Sequence, residues 1–329
     1  MTHVDPFDSG QPLATTSLPP APITWPQGKT AAACLTFDMD AEAPVLTADV
    51  RSLDRMSPMS HQSYGPLVGV PRILALLARH DLTATFFVPG YSAHRYPGIV
   101  RNIAEAGHEI AHHSYFHENT AGMDEKTEAD MIDLGLRALH DVAGIRPEGY
   151  RAPMWELNYH TPRLLQERGF LYDSSLMDSD HPYVLALDDT PEAKTLVEIP
   201  VSWALDDWEQ YAYLPDLMGS GVIESPTKAL EMWTLELEAM HRLGAVFVLC
   251  NHPFLSGRPS RAEALERLIE RMLELPGLWI TTVAEVARHT ASLTLAPRTC
   301  PRPVLPSAAY WVSKHRSTDA VVNRAHPDG

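Results

Sequence analysis

Between residues 31 and 290, short apolar runs alternate with stretches of helical periodicity. Eight runs read as strands: Ala31–Phe37, Thr83–Val88, His108–His112, Gly149–Ala152, Phe170–Tyr172, Leu196–Ile199, Ala245–Asn251 and Leu278–Thr281. Between them, six segments carry apolar residues at helical spacing: Pro71–Arg79, Tyr96–Ala106, Glu125–Val142, Thr161–Arg168, Pro226–Leu243 and Arg261–Leu273. Strand–helix alternation predicts a parallel sheet with helical crossovers. Seven to eight parallel strands over this length predict an α/β fold, a distorted (β/α) barrel. An open doubly wound sheet is the alternative, but the Gly-rich loop of nucleotide-binding members does not follow the first strand.

The flanks differ in character. Residues 1–30 hold Pro6, Pro12, Pro19, Pro20, Pro22 and Pro26 with little periodicity, and read as an extended arm. The end of the chain holds Pro297, Pro301, Pro303 and Pro306, then polar residues. The expected organisation is an N-terminal arm (1–30), one catalytic domain (31–290) and a C-terminal arm (291–329).

Acids and histidines recur where strands end. Asp38 and Asp40 follow the first strand, and His113 and His117 the third. Arg151 ends the fourth and Asp173 the fifth. Asp206 and Asp207 follow the sixth, and His252 ends the seventh. A barrel builds its active site from these carboxyl-end loops. One such placement is ordinary loop polarity; the repetition points to a site.

Each cluster suggests chemistry. His113 and His117 are four apart, so on a helical turn their imidazoles share a face and can meet one ion. A carboxylate from another loop would complete a three-residue metal set with open positions. Asp38 and Asp40, two apart at a strand end, point the same way. Carboxylates that close cannot both stay ionised without an offset, which a metal on one and a base role for the other would supply. The Arg151 guanidinium is always charged and can orient a carboxylate such as Asp38. His252, at the end of a very apolar strand, can deliver a proton to a leaving nitrogen. No G-x-S-x-G elbow supports a serine nucleophile.

Composition then narrows the partners. The formal charge of −16 over 329 residues argues against nucleic acid, which needs basic patches. No apolar stretch is long enough to span a bilayer, and the first residues lack a secretory pattern. Cys34 and Cys250 sit in apolar runs and form no disulfide framework. These features predict a cytoplasmic protein without membrane or nucleic-acid partners.

Five segments in order, Leu35-Thr-Phe-Asp38-Met-Asp40, His113-Ser-Tyr-Phe-His117, Arg151-Ala-Pro-Met-Trp155, Asp173-Ser-Ser and His252-Pro, resemble the polysaccharide deacetylase superfamily with its NodB-type homology domain. The resemblance spans roughly residues 30–290. It is closest to the branch of peptidoglycan deacetylase-like enzymes, cyclic imide hydrolases and allantoinases. Asp38-Met-Asp40-Ala-Glu42, the 174–183 segment and Pro200-Val-Ser-Trp203-Ala-Leu-Asp206-Asp207-Trp208 point there. The resemblance implies a distorted barrel, a divalent metal (most often Zn2+) and a homo-oligomer, often a tetramer.

Carried over by position, Asp40, His113 and His117 would hold the metal. Asp38 would be the base, Arg151 its orienting partner and His252 the acid, supported by Asp173. Glu42, Trp155, Asp180, Tyr183, Trp203 and Asp206 are assigned to substrate binding. The backbone N–H near Tyr115 or Phe116 would stabilise the oxyanion. The implied activity is metal-dependent hydrolysis of a non-peptide C–N bond in an N-acetyl sugar amide. The alternative is ring opening of a cyclic imide or ureide. A catalytically dead carbohydrate-binding barrel would be expected to lack one of Asp38, Asp40, His113, His117 or His252, and all five are present.

Overall fold

The computed structural model describes residues 23–302, apart from 189, 191, 216, 217 and 220. Of the expected arms (1–30 and 291–329), residues 1–22 and 303–329 lie outside the described residues. Residues 20–298 fold as one unit; of the other, 1–19 with 299–329, the description covers 299–302.

The strands are β1 (Ala31–Asp38), β2 (Thr85–Val88), β3 (Glu109–His112), β4 (Gly149–Tyr150), β5 (Tyr172–Asp173), β6 (Tyr183–Ala186), β7 (Thr195–Glu198), β8 (Tyr213–Leu214), β9 (Met218–Gly219), β10 (Val246–Asn251) and β11 (Leu278–Ile280). One curled sheet runs in the order β10-β1-β2-β3-β4-β5-β7-β6, with β11 also on β1. All pairings in it are parallel except β6–β7. The fold is a distorted (β/α) barrel, as the alternation predicted.

β1 is its axis. All eight residues are buried. One edge pairs with β10, while the other is shared by β11 at Ala31–Ala33 and β2 at Thr36–Asp38. A strand buried on both faces reads as continuous apolar sequence rather than alternation, which is how Ala31–Phe37 looks.

The helices close as their sequences dictate. Glu125–Ala143 starts where the Asp124 side chain accepts the Thr127 amide, and it ends at Gly144 with φ 68°. Pro226–Leu243 begins after Ser225 with Pro at its first turn and ends at Gly244, also φ 68°. Val70–Arg79, Pro97–Glu105, Thr161–Glu167 and Pro259–Glu274 match the expected helices within a few residues.

Three features depart from the expected pattern. Between β1 and β2 the chain makes an excursion of short helices over residues 43–69, where the sequence has no clear period. It docks through Gly69, whose Cβ, if present, would lie 2.1 Å from the Pro253 carbonyl oxygen. The excursion therefore braces the loop that carries His252. The second is the antiparallel β6, paired with β7 from Tyr183↔Glu198 to Ala186↔Thr195. The third is the barrel closure between β7 and β10, made by irregular chain. The Asp207 amide donates to the Cys250 carbonyl (3.1 Å) and the Val246 amide to the Asp180 carbonyl (3.0 Å). At the start of the described chain, the Trp25 indole N–H donates to the Gly244 carbonyl (2.7 Å), fastening 23–30 to the barrel.

Candidate metal centre and active site

The carboxyl ends of β1, β3 and β10 meet around a cavity of about 220 Å3. Its polar floor is Asp38, Asp40, His113, His117 and His252; Met154, Trp155, Trp203 and Trp208 form much of the wall. The five floor residues are all buried.

The His113–His117 segment is not helical. It is a turn in which Ser114 (φ 58°) and His117 (φ 55°) are left-handed. The shared face expected from helical spacing is thus produced by a tight turn instead. Backbone bonds hold this turn to the segment just after β2, from the Gly90 amide to the Ser114 carbonyl (3.1 Å) and from the Tyr91 amide to the Tyr115 carbonyl (2.7 Å). Gly90 must be small, because a Cβ would lie 2.6 Å from Tyr115 Cδ2. His112 is the structural histidine. Its Nε2 donates to the Ile132 carbonyl (3.0 Å), its Nδ1 accepts the Ser114 amide (3.1 Å), and burial pushes its pKa down to about 3.

Among the described residues, six non-glycine residues have positive φ, and Ala41, Ser114, His117, Met154 and Trp155 are on loops around the cavity. Such backbone conformations cost energy and persist where the surroundings enforce them, commonly at functional sites.

Asp40 carries the most informative observation. Both of its carboxylate oxygens are buried, and neither has a hydrogen-bond partner. A buried charge left this way is costly unless something binds it. His113 Nε2 lies 3.5 Å from Asp40 Oδ1, and His117 Nε2 lies 3.5 Å from Asp40 Oδ2. Ligand atoms set tetrahedrally about 2 Å from one ion are about 3.3 Å apart. His113 Nδ1 donates to the Arg151 carbonyl (2.7 Å), which leaves Nε2 with its lone pair facing Asp40. Burial, ahead of the opposing pull of Asp40, takes the His117 pKa down to about 4, so its ring is neutral and able to ligate. These donors fit a divalent metal.

Two other clusters have the necessary residue types: Asp38, Cys250 and His252, and Asp206, Asp207 and His252. They fit less well. Burial pushes the Cys250 thiol well up, and Asp38 is engaged by Arg151. Both oxygens of Asp207 are already bonded.

Arg151 is completely buried. Its Nη1 donates to Asp38 Oδ1 (2.8 Å) and Thr36 Oγ1 (2.9 Å), and its Nε to the Ser174 carbonyl (3.1 Å). Its guanidinium lies 4.0 Å from the Phe87 ring centroid. Burial alone would raise the Asp38 pKa, but Arg151, with His113 and His252 nearby, outweighs it and holds the carboxyl below its ordinary value.

His252 has a different partner from the one expected. Its Nδ1 is 2.8 Å from Asp207 Oδ1, and its Nε2 is 3.5 Å from Asp40 Oδ2. Asp207 is fixed by the amides of His252 (2.9 Å) and Ser256 (3.1 Å). Burial would lower the His252 pKa, but Asp206, Asp207 and Asp40 reverse this and raise it to about 10. Asp173 makes none of these contacts. It faces Ser175 and Glu198 behind Arg151. Asp207 is thus one of the strand-end carboxylates, with no role assigned to it from sequence; that placement after the sixth strand was the available signal.

Of the residues assigned to substrate, Trp155, Trp203 and Asp206 line the cavity. Trp203 is 60% exposed, at the mouth. Burial pushes Asp206 up to about 7 against the opposing effect of His252. Glu42, Asp180 and Tyr183 are not brought in. The Tyr96 hydroxyl donates to Glu42 Oε1, and Glu42 is not part of the cavity lining. Asp180 is at the amino end of β10, the opposite end from His252, because its carbonyl closes the barrel there. Tyr183 is held in the β6–β7 hairpin, its hydroxyl donating to Asp178 (2.9 Å). Trp208 and Glu209 line the cavity in addition. The Phe116 amide is already bonded to Glu118 Oε1 (2.8 Å), leaving Tyr115 as the remaining candidate for the oxyanion contact.

The polysaccharide deacetylase family model matches residues 63–172. A peptidoglycan deacetylase of Helicobacter pylori is 33% identical over 256 residues, covering 71% of this chain and 87% of the relative. A Mycobacterium smegmatis structure described as a polysaccharide deacetylase superposes with a TM-score of 0.85 at 56% identity, covering 87% of this chain and 99% of that one. The Puue allantoinase structure superposes with a TM-score of 0.72 at 26% identity, covering 86% and 97%.

Proposed function

This chain belongs to the polysaccharide deacetylase family, a hydrolase of non-peptide C–N bonds that depends on a metal, and on that premise we propose that it removes the acyl group from an N-acetyl sugar amide. The observation that carries the proposal is the pair of unpartnered, buried Asp40 oxygens facing His113 and His117.

In this reading Asp40, His113 and His117 hold the ion, with zinc the first choice for a set of two imidazoles and one carboxylate. When bound, the ion supplies Lewis-acid polarisation of the amide carbonyl and of a water. Asp38, kept ionised by Arg151, takes the proton from the attacking water. The Tyr115 amide stabilises the developing oxyanion. His252, charged and fixed through Nδ1 by Asp207, passes its Nε2 proton to the departing nitrogen. Trp155, Trp203 and Trp208 present flat apolar faces to the substrate ring, and Asp206 adds a polar contact.

A second reading has its own support. A flat cyclic imide or ureide suits the same aromatic walls, and the allantoinase resembles this chain over most of its length. We also place the catalytic domain at 31–290, with the flanking arms outside it, and propose a cytoplasmic homo-oligomer, a tetramer by resemblance to the family. The buried thiols of Cys34 and Cys250 support a reducing compartment. Among the described residues no helix is long and apolar enough to cross a membrane.

The deciding experiment is a turnover panel with zinc-loaded enzyme on N-acetylglucosamine oligomers, succinimide, hydantoin and allantoin. Acetate release from the oligomers supports the first reading. Ring opening with no acetate release replaces it with the second.

A further inference from the structure

Two buried carboxyl groups stand outside the machinery described above. Asp173 ends β5, Glu198 ends β7, and the two are direct neighbours in the parallel pairing. Both are completely buried. Two ionised carboxylates side by side in a strand pair repel, and a low-dielectric interior strengthens the repulsion.

Half of their oxygens are accounted for. Asp173 Oδ1 accepts the Ser175 hydroxyl (2.9 Å). Glu198 Oε1 accepts the amides of Ser175 (3.2 Å) and Leu176 (2.9 Å). Asp173 Oδ2 and Glu198 Oε2 are buried with no donor from any other described group. One proton held between these two oxygens satisfies both and removes one of the two charges.

The surroundings agree. Arg151 is the cation in reach of Asp173, and it is already committed to Asp38 and Ser174. The other titratable groups facing the pair are Tyr150 on β4 and Tyr183 on β6, neither of which brings positive charge. Burial pushes Asp173 up to about 6, and burial with Asp173 alongside pushes Glu198 well up.

The pair fastens the turn after β5, and that turn holds the arginine. Ser175 Oγ accepts the Ala152 amide (2.9 Å). The Ser174 carbonyl accepts Arg151 Nε (3.1 Å), and the Ser174 hydroxyl accepts Nη2 (3.2 Å). The remaining Nη1 reaches Asp38. A continuous path thus runs from Glu198 through Asp173 and the 174–176 turn to Arg151 and Asp38.

We propose that Asp173 and Glu198 hold a single proton between their carboxyl groups and act as positioning residues, fixing the turn that aims Arg151 at Asp38. The kinetic consequence rests on Asp38 serving as the base; the shared proton does not.

The test uses the full-length, zinc-loaded protein and two variants, Glu198→Gln and Glu198→Ala. Infrared difference spectra at neutral pH, wild type minus Glu198→Gln, are expected to show the loss of one protonated-carboxyl C=O band. The Gln amide can donate to Asp173 in place of the proton, so Glu198→Gln keeps kcat within about 3-fold of wild type. Glu198→Ala leaves the turn loose, and kcat falls by about 10²-fold, the scale of a misplaced group, while KM and zinc content stay within about 2-fold. A spectrum with no band lost overturns the shared proton, and it does so even if Glu198→Ala does not fold. Equal kcat in Glu198→Ala and wild type overturns the positioning role. If Asp38→Asn retains full turnover, the base assignment fails, and the infrared result stands independently.

Discussion

Asp38 and Asp173 both end parallel strands of one sheet and both are buried, yet their carboxyls are pushed in opposite directions. Burial raises both. At Asp38 the Arg151 guanidinium, 2.8 Å away, overcomes that effect and keeps the group charged. At Asp173 no described guanidinium is bonded to the carboxyl, and its side-chain partner across the strand pair is another acid, Glu198. Burial prevails over the hydrogen bonds it receives and pushes it up to about 6. Burial by itself therefore says little about what a carboxyl can do. The partner decides whether it is a base ready at neutral pH or a proton-holding brace. Arg151 contacts the elements that carry both groups, which makes it the hinge of the contrast.

The largest effect should come from removing that hinge. Arg151→Met leaves the buried Asp38 carboxylate uncompensated, and breaking such a pair costs about 3–5 kcal/mol. Urea unfolding of the variant should show a loss of that size, with turnover abolished. A stability within 1 kcal/mol of wild type, roughly the worth of one ordinary hydrogen bond, would show that Asp38 is not held charged by Arg151.

Asp38→Asn and His117→Ala separate the base from the ligands. Asp38→Asn should retain about one zinc per chain and lose about 10²–10⁴ in kcat, the range of general base catalysis. His117→Ala should lose both metal and activity. Metal analysis by mass spectrometry beside kcat reads the difference, and equal metal loss in the two variants contradicts the roles.

A smaller loss is expected for Asp207→Asn, about 10–100-fold in kcat, the usual scale for removing a group that orients a functional histidine. Asp207 helps to raise His252, so without it the acid deprotonates at lower pH. The alkaline limb of the kcat–pH profile should then move down; a limb that stays in place would remove Asp207 from the acid's support.

The smallest effect tests the opposed carboxyls directly, in chelated protein. The Asp38 value is depressed on folding, so its contribution to stability is present above the unfolded value and lost as pH falls through the folded one. The Asp173 value is raised, so its contribution is present below the unfolded value and lost as pH rises through about 6. The stability difference between wild type and Asp38→Asn should therefore grow with rising pH in the acid range. The difference between wild type and Asp173→Asn should shrink between about pH 4 and pH 6, from the unfolded carboxyl value upward. Urea titrations across that range measure both, and slopes of the same sign break the contrast.

Much of the fold was legible along the chain. The buried run of β1, the apolar β10 and the capped helices at 125–143 and 226–243 follow from local period, Pro placement and Gly at helix ends. The chemistry-bearing residues were legible too, because strand ends are where a barrel exposes side chains to a common space. Asp38, Asp40, His113, His117 and His252 do line one cavity. The excursion over 43–69 was not legible, since its short helices depend on docking against Pro253 rather than on their own periodicity.

Which groups meet was decided by tertiary structure. The chain after β7 crosses to β10, and that return, not any local pattern, gives His252 the carboxylate of Asp207 and leaves Asp173 to Glu198. The same closure carries Asp180 to the far end of β10, and the hairpin with β7 withdraws Tyr183 from the cavity. The left-handed turn at Ser114 and His117 aims two imidazoles at Asp40 without a helix. Periodicity and capping act over a few residues, so sequence determined the elements and the residues at their ends. Hydrogen bonds and charge partners depend on distances across many tens of residues, and those exist only once the sheet has curled.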